Sequence, residues 1–252
     1  RGMYVQLRVG SSANHLRETA KAVDPFNCRR FLLCSDDKNA RDLQTRGHMD
    51  DALRQLVVCG VSSGQAVCTA TLNAAECYGL KDRGAIAPGR IADIVLAEDL
   101  NRFEVRAVFK RGKIVAEDGK TMFSVSQSVP DCVRDTVKIQ DVCADRFRIP
   151  VKSGKVRALQ VRPHGLVTDE IVLSVPCGDD LHLQGTDLNK LAVIERHRTS
   201  GNIGLGLVKG YGLHGAALAI TVSHDSHHLV VIGDDNARMA RAAMLLKEAG
   251  GG

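Results

Sequence analysis

Two short stretches of this chain hold side chains suited to acid–base or metal chemistry. The first is Ser35-Asp36-Asp37, which follows the apolar run Arg30-Phe31-Leu32-Leu33-Cys34. That run reads as a short buried strand. In a barrel of parallel strands, functional residues sit at the C-terminal strand ends. A carboxylate there can bind a metal ion or take a proton from metal-bound water. Asp is equally at home as a helix N-cap or in a solvated loop, so position alone leaves both readings open. The second stretch is His224-Asp225-Ser226-His227-His228, the densest group of functional side chains in the sequence. Imidazole and carboxylate together can ligate a metal or contact a polar ligand. The plainer alternative is a hydrogen-bonded polar loop between two apolar strands. Neighbouring strand residues point to opposite faces, so at most two or three of the five would converge.

Three further groups carry less. Glu195-Arg196-His197-Arg198 ends an apolar strand, where a solvated strand end accounts for it. Glu76, among alanines, reads as a surface helix charge. Gly210-Tyr211-Gly212-Leu213-His214-Gly215 fits the GxGxxG pattern. A dinucleotide site needs a helix to open at the last glycines. Here Ala216 to Val222 follows, and its β-branched end predicts a strand instead.

The elements that must position these groups follow from periodicity. Residues 3–8 alternate like a strand, residues 13–23 have helical composition, and Asp24-Pro25 ends them. After the 30–34 strand come two helical stretches. The first places Leu53, Leu56 and Val57 on one face, and the second runs from Ser62-Ser63 through Ala74 to Gly79. This is the end of a parallel α/β unit. Between residues 84 and 119 three strand-like runs follow, the last two joined by a tight turn at Lys110-Arg111-Gly112-Lys113. Residues 120–135 read as a linker. Strand-like runs at 156–161, 166–175, 191–195, 203–208, 216–222 and 229–232 then lead to a helix capped by Asp235 and stopped at Gly250.

The chain has 252 residues, 44% hydrophobic and 25% charged, with a net charge of +5. That is the composition of a soluble globular protein, with length for one large domain or two ordinary ones. Its Lys and Arg are mixed with Asp and Glu, and Trp is absent, so neither a basic stripe nor a base-stacking platform for nucleic acid is expected. No apolar run reaches the ~20 residues of a membrane span. The 8 Cys form no CxxC pair and mostly sit among apolar neighbours, which suits buried thiols in a reducing cytoplasm. The chain opens on Arg1 close to a strand-like run, and is read as lacking an earlier segment.

Several segments resemble the amidohydrolase superfamily. Thr71-Leu72-Asn73-Ala74-Ala75-Glu76 looks like its last barrel helix, and Ala85-Ile86-Ala87-Pro88-Gly89-Arg90-Ile91-Ala92-Asp93-Ile94-Val95-Leu96 like its return to a small β domain. A narrower resemblance is to adenine deaminases. It rests on Cys34 to Asp37, Gly47-His48-Met49-Asp50, Asp187 to Val193, Glu195-Arg196-His197, Gly201 to Gly206, and Ser223 to His227. The implied fold is α/β plus α+β. Residues 1–83 would be the C-terminal part of a TIM-like hydrolase barrel, 84–122 a small β domain segment, and 123–252 a C-terminal α+β domain. The implied reaction is hydrolytic deamination of adenine to hypoxanthine and ammonia in purine salvage. Another cyclic amidine or amide substrate, or a non-catalytic binding remnant, is the alternative.

The resemblance also implies a site. Asp36, with Asp37 as the fallback, matches the carboxylate that moves the proton, and Asp36 would touch the metal. His224, Asp225, Ser226 and His227 would contact the substrate. The cofactor would be a divalent metal, manganese or iron ahead of zinc. Its other expected ligands, a His-x-His pair, an acidic bridging residue and further His, have no match in these 252 residues. A missing N-terminal barrel part or a second chain would supply them, and a homo-oligomer is expected. Two positions depart from the family pattern: Arg8-Val9-Gly10-Ser11 carries Val where an acid is usual, and His228 replaces an Asn.

Overall fold

The computed structural model describes residues 2–12, 14–126, 128–162, 167–183, 185–224 and 226–252. The chain divides into two compact units, Arg1–Ser126 and Gln127–Gly252. The segments 1–83 and 84–122 read from the sequence fall in the first unit, and 127–252 forms the second.

The first unit opens with strand β1 (Val5–Arg8) and a short helix α1 (Leu16–Thr19) that runs into a 3₁₀ turn. Strand β2 (Phe31–Cys34) then pairs parallel with β1 in the register Val5↔Phe31 to Arg8↔Cys34. Parallel neighbours need a crossover of a dozen residues or more, and residues 9–30 supply it. Helices α2 (Ala40–Thr45), α3 (Met49–Val58), α4 (Ser63–Ala70) and α5 (Leu72–Cys77) follow. Asp50 and Asp51 in the first turn of α3 suit the positive end of its dipole. Leu56 is fully buried, and Leu53 and Val57 pack beside it against Leu7, Phe31 and Leu33. Burying one such leucine contributes about 2 kcal/mol.

The helix expected from Ser62 to Gly79 is broken at Thr71, whose backbone leaves the helical region (φ −127°, ψ −88°). Its hydroxyl donates to the Val67 carbonyl at 2.7 Å, a local bond that competes with helix continuation. The break aims Asn73 inward. Fully buried, it donates to the Cys28 and Phe31 carbonyls at 2.8 and 2.9 Å and so ties α5 to the start of β2. Glu76, as expected, is a surface charge, paired with Arg29 at 2.9 Å.

A meander of β3 (Ile94–Ala97), β4 (Val105–Lys110), β5 (Lys113–Glu117) and β6 (Lys120–Thr121) completes this unit. Arg111 and Gly112 both have positive φ (51° and 75°), which the two-residue hairpin turn between β4 and β5 requires.

The second unit contains β7 (Lys155–Val161), β8 (Thr168–Ser174), β9 (Leu188–Ile194), β10 (Ile203–Lys209), β11 (Ala217–Ile220), β12 (Leu229–Gly233) and helix α6 (Asn236–Glu248). Its described strands form one sheet in the order β11-β12-β9-β10-β7-β8. Helix α6 is capped by the Asp235 side chain, which accepts from the Arg238 amide at 2.9 Å. Met239 and Ala243 are fully buried against Ala192, Ile194, Leu229 and Val231. The glycine-rich stretch before β11 leads into a strand, not a helix, as its β-branched end predicted.

Candidate active site

The parallel register of β1 and β2 brings two chain segments out side by side. The Val9 amide donates to the Cys34 carbonyl at 2.9 Å, and the Ser11 amide to the Asp37 carbonyl at 2.7 Å. Asp36 therefore stands at the C-terminal end of β2, where the sequence placed it. Its backbone is left-handed, with φ of 57°. Asp tolerates that region better than most residues, yet it is uncommon, and such positions gather at functional sites. The carboxylate is about one-third exposed, with Arg8 Nη1 3.6 Å away. A carboxylate open to one side can exchange a proton with a bound molecule.

The turn that carries Asp36 and Asp37 is anchored by Ser11. The Ser11 hydroxyl accepts from the Asn39 amide at 3.0 Å and donates to Asp42 Oδ2 at 2.6 Å. Asn39 caps α2, accepting from the Asp42 amide at 2.8 Å. Neighbouring Cys34 is no rival as a nucleophile. Burial first, and the Asp36 charge second, raise its thiol above the ordinary value, with Arg8 pulling the other way.

In the second unit β12 lies beside β9 with Leu229 opposite Ile194. The residues before Leu229 and after Ile194 are thereby neighbours. This brings Arg196 and His197 against Ser226, His227 and His228. Arg196 Nε donates to the His227 carbonyl, and its Nη1 reaches the Thr136 carbonyl and hydroxyl at 3.1 and 3.2 Å. His197 Nε2 donates to the Ser226 carbonyl at 2.9 Å. The His197 and His228 rings lie 5.1 Å apart, and those of His224 and His227 5.8 Å apart. His227 is left-handed (φ 51°), its amide donating to the Ser223 carbonyl at 2.7 Å. His224, Ser226 and His227 are exposed, and Asp225 lies outside the described residues. Glu195 shapes the adjoining turn. Loss of hydration pushes its pKa up, but the Ser200 amide and hydroxyl and the His197 and Arg198 amides outweigh that and hold it at about 2.

The sequence singled out the 224–228 group and Asp36 as candidates. In it Glu195 to Arg198 read as a strand end, and Ser11, Asp42 and Arg196 had no role, because their importance lies in contacts 31–60 residues apart along the chain.

Residues 7–115 match the profile of the amidohydrolase family, and residues 165–252 that of the adenine deaminase C-terminal domain. An adenine deaminase from Nitratidesulfovibrio vulgaris (strain DP4) is 46% identical over 252 residues, covering all of this chain and 44% of that protein. Along its whole length the chain is similar to adenine deaminases. Adenine deaminase 2 from Carboxydothermus hydrogenoformans is 40% identical over 254 residues, and adenine deaminase 2 from Desulfotalea psychrophila 38% over 255. The chain spans less than half the length of these curated relatives, 44–45%. A solved β-aspartyl dipeptidase from Fervidobacterium islandicum AW-1 superposes with a TM-score of 0.39 at 18% identity, over 50% of this chain and 36% of that one, too distant to carry an argument.

Asp36 falls inside the amidohydrolase match and the 223–228 turn inside the adenine deaminase domain. Such hydrolases are generally metal-dependent, so the donor set can be tested for fit. Among the described residues there is no group of three or more His, Cys, Asp or Glu placed to hold an ion. Catalytic metal sites generally use about three protein ligands. The described residues therefore do not by themselves form a catalytic metal site.

Proposed function

We propose that this chain works in the hydrolytic deamination of adenine to hypoxanthine and ammonia. The match of this whole chain to part of an adenine deaminase at 46% identity carries the reading, and the open Asp36 carboxylate at a parallel strand end supports it. In the reaction a water oxygen bonds to C6 of the purine, and the C6–N bond to the amino group breaks. The Asp36 carboxylate takes the proton from the attacking water and returns it to the departing nitrogen, which leaves as ammonia. Asp37 is the fallback for that role. The 224–227 turn, with His224, Asp225, Ser226 and His227, recognises the ring nitrogens, which need both donors and acceptors. A divalent ion, manganese or iron ahead of zinc, belongs to this reading, with Asp36 as this chain's contribution. So do a TIM-like barrel completed by residues outside this chain, a homo-oligomer, and work in the cytoplasm, which the eight free thiols support.

An ammonia-release assay on this chain joined to an N-terminal barrel segment from an adenine deaminase relative, with adenine and manganese, tests the proposal. Hypoxanthine production that Asp36→Asn abolishes supports it. Consumption of another cyclic amidine or amide, with adenine untouched, replaces it with the broader hydrolase reading.

A further inference from the structure

The first unit holds a buried ion pair that the proposed chemistry does not use. The Lys38 side chain is 5% exposed and that of Asp51 10%, and Lys38 Nζ lies 2.8 Å from Asp51 Oδ2. The same ammonium donates to the Gly47 and His48 carbonyls at 3.2 and 3.4 Å. Gln55 Nε2 donates to the same Asp51 oxygen at 2.9 Å, and Arg46 approaches it at 3.6 Å. Every lone proton of the ammonium thus has an acceptor, and its charge has a partner. A satisfied buried pair of this kind is weak evidence for stability, because well-packed apolar residues often replace one at no cost. What it does fix is geometry.

Lys38 directly follows Asp36-Asp37, while Asp51 and the Gly47-His48 carbonyls belong to the start of α3. The ammonium closes the loop 38–48 at its base. From the other side, Ser11 holds the Asp37 carbonyl and the Asn39 amide. Asp36, left-handed, immediately precedes these two anchors. The geometry points to Lys38 as a positioning residue: through Asp51 and the two carbonyls it holds the Asp36-Asp37 turn in place at the end of β2. The catalytic part of this inference rests on the deaminase reading, and the structural part does not.

The test compares Lys38→Met and the double variant Lys38→Met/Asp51→Leu with the parent. The single variant strands a buried carboxylate and melts lower. The double variant removes both charges and regains the parent melting temperature. Amide hydrogen exchange over residues 36–47 in the double variant is nonetheless faster by about tenfold or more, with β2 and α3 unchanged. In the deaminase assay its kcat falls about 100-fold, as displacement of a reacting group by an ångström produces, while KM stays close to the parent. Parental exchange over 36–47 in a double variant that melts normally overturns the inference. If the double variant does not fold, Lys38→Gln decides, since an amide reaches one of the three acceptors rather than all. Unchanged exchange there is equally fatal. Asp36→Asn run in parallel separates the two readings: retained turnover sinks the role of Asp36 and leaves the exchange result to judge Lys38.

Discussion

At the scale of single residues, two carboxylates do different work because their surroundings differ. Asp36 is open to one side, as the proposed proton transfer needs. Asp36→Asn keeps the size and the left-handed backbone but removes the proton acceptor, so kcat for adenine falls ~100- to 10,000-fold with little change in melting temperature. Steady-state kinetics beside calorimetry check this. Glu195 is saturated by four donors that order the His197–Ser200 turn. Its pKa drops on folding from an ordinary 4.5 to about 2. A carboxylate depressed on folding stabilises the protein above its unfolded value, and that stabilisation is lost as pH falls toward 2. Glu195→Gln therefore melts below the parent at pH 7, and the two converge by pH 2 to 3. A difference that stays constant over that range contradicts the assignment.

At the scale of elements, most of the fold was legible in the sequence. The apolar run 31–34, the Leu53-Leu56-Val57 face, the tight turn at Arg111-Gly112 and the Asp235 cap all stand where periodicity and turn chemistry put them. Helix α2 was not legible, because none of its residues is buried and its anchors are polar contacts from Ser11 and Asn39. The break at Thr71 was hidden for a similar reason: composition favours a helix through it, while a side-chain hydrogen bond and the buried Asn73 decide otherwise. Asn73→Ala removes the buried side-chain donor shared by the Cys28 and Phe31 carbonyls and costs about 1–3 kcal/mol, read as a lower urea midpoint at unchanged slope. Asp235→Ala removes the cap of α6 and costs ~1 kcal/mol by the same measurement. The candidate site was half legible. Residue type marked Asp36 and the His-rich turn, but the pairing of β9 with β12, which brings Arg196 and His197 to that turn, is a long-range fact that no local pattern carries.

At the scale of the whole molecule, each unit carries one of the two groups that the proposed reaction needs, and neither carries a metal centre among its described residues. A single carboxylate does not hold a catalytic ion. The 252-residue chain on its own therefore releases no ammonia from adenine at an enzymatic rate, with either manganese or iron added, and turnover of about 1–1000 per second from it contradicts that expectation. The central claim is that this chain brings the Asp36 carboxylate to an adenine deaminase. Hypoxanthine formation from adenine, measured for this chain joined to an N-terminal barrel segment from an adenine deaminase relative and for the Asp36→Asn variant of that joined protein at equal metal loading, tests it most directly. The account predicts ordinary enzymatic turnover for the parent and a loss of at least about 100-fold in the variant; equal rates for the two, or no hypoxanthine from a fully metallated parent, would contradict it.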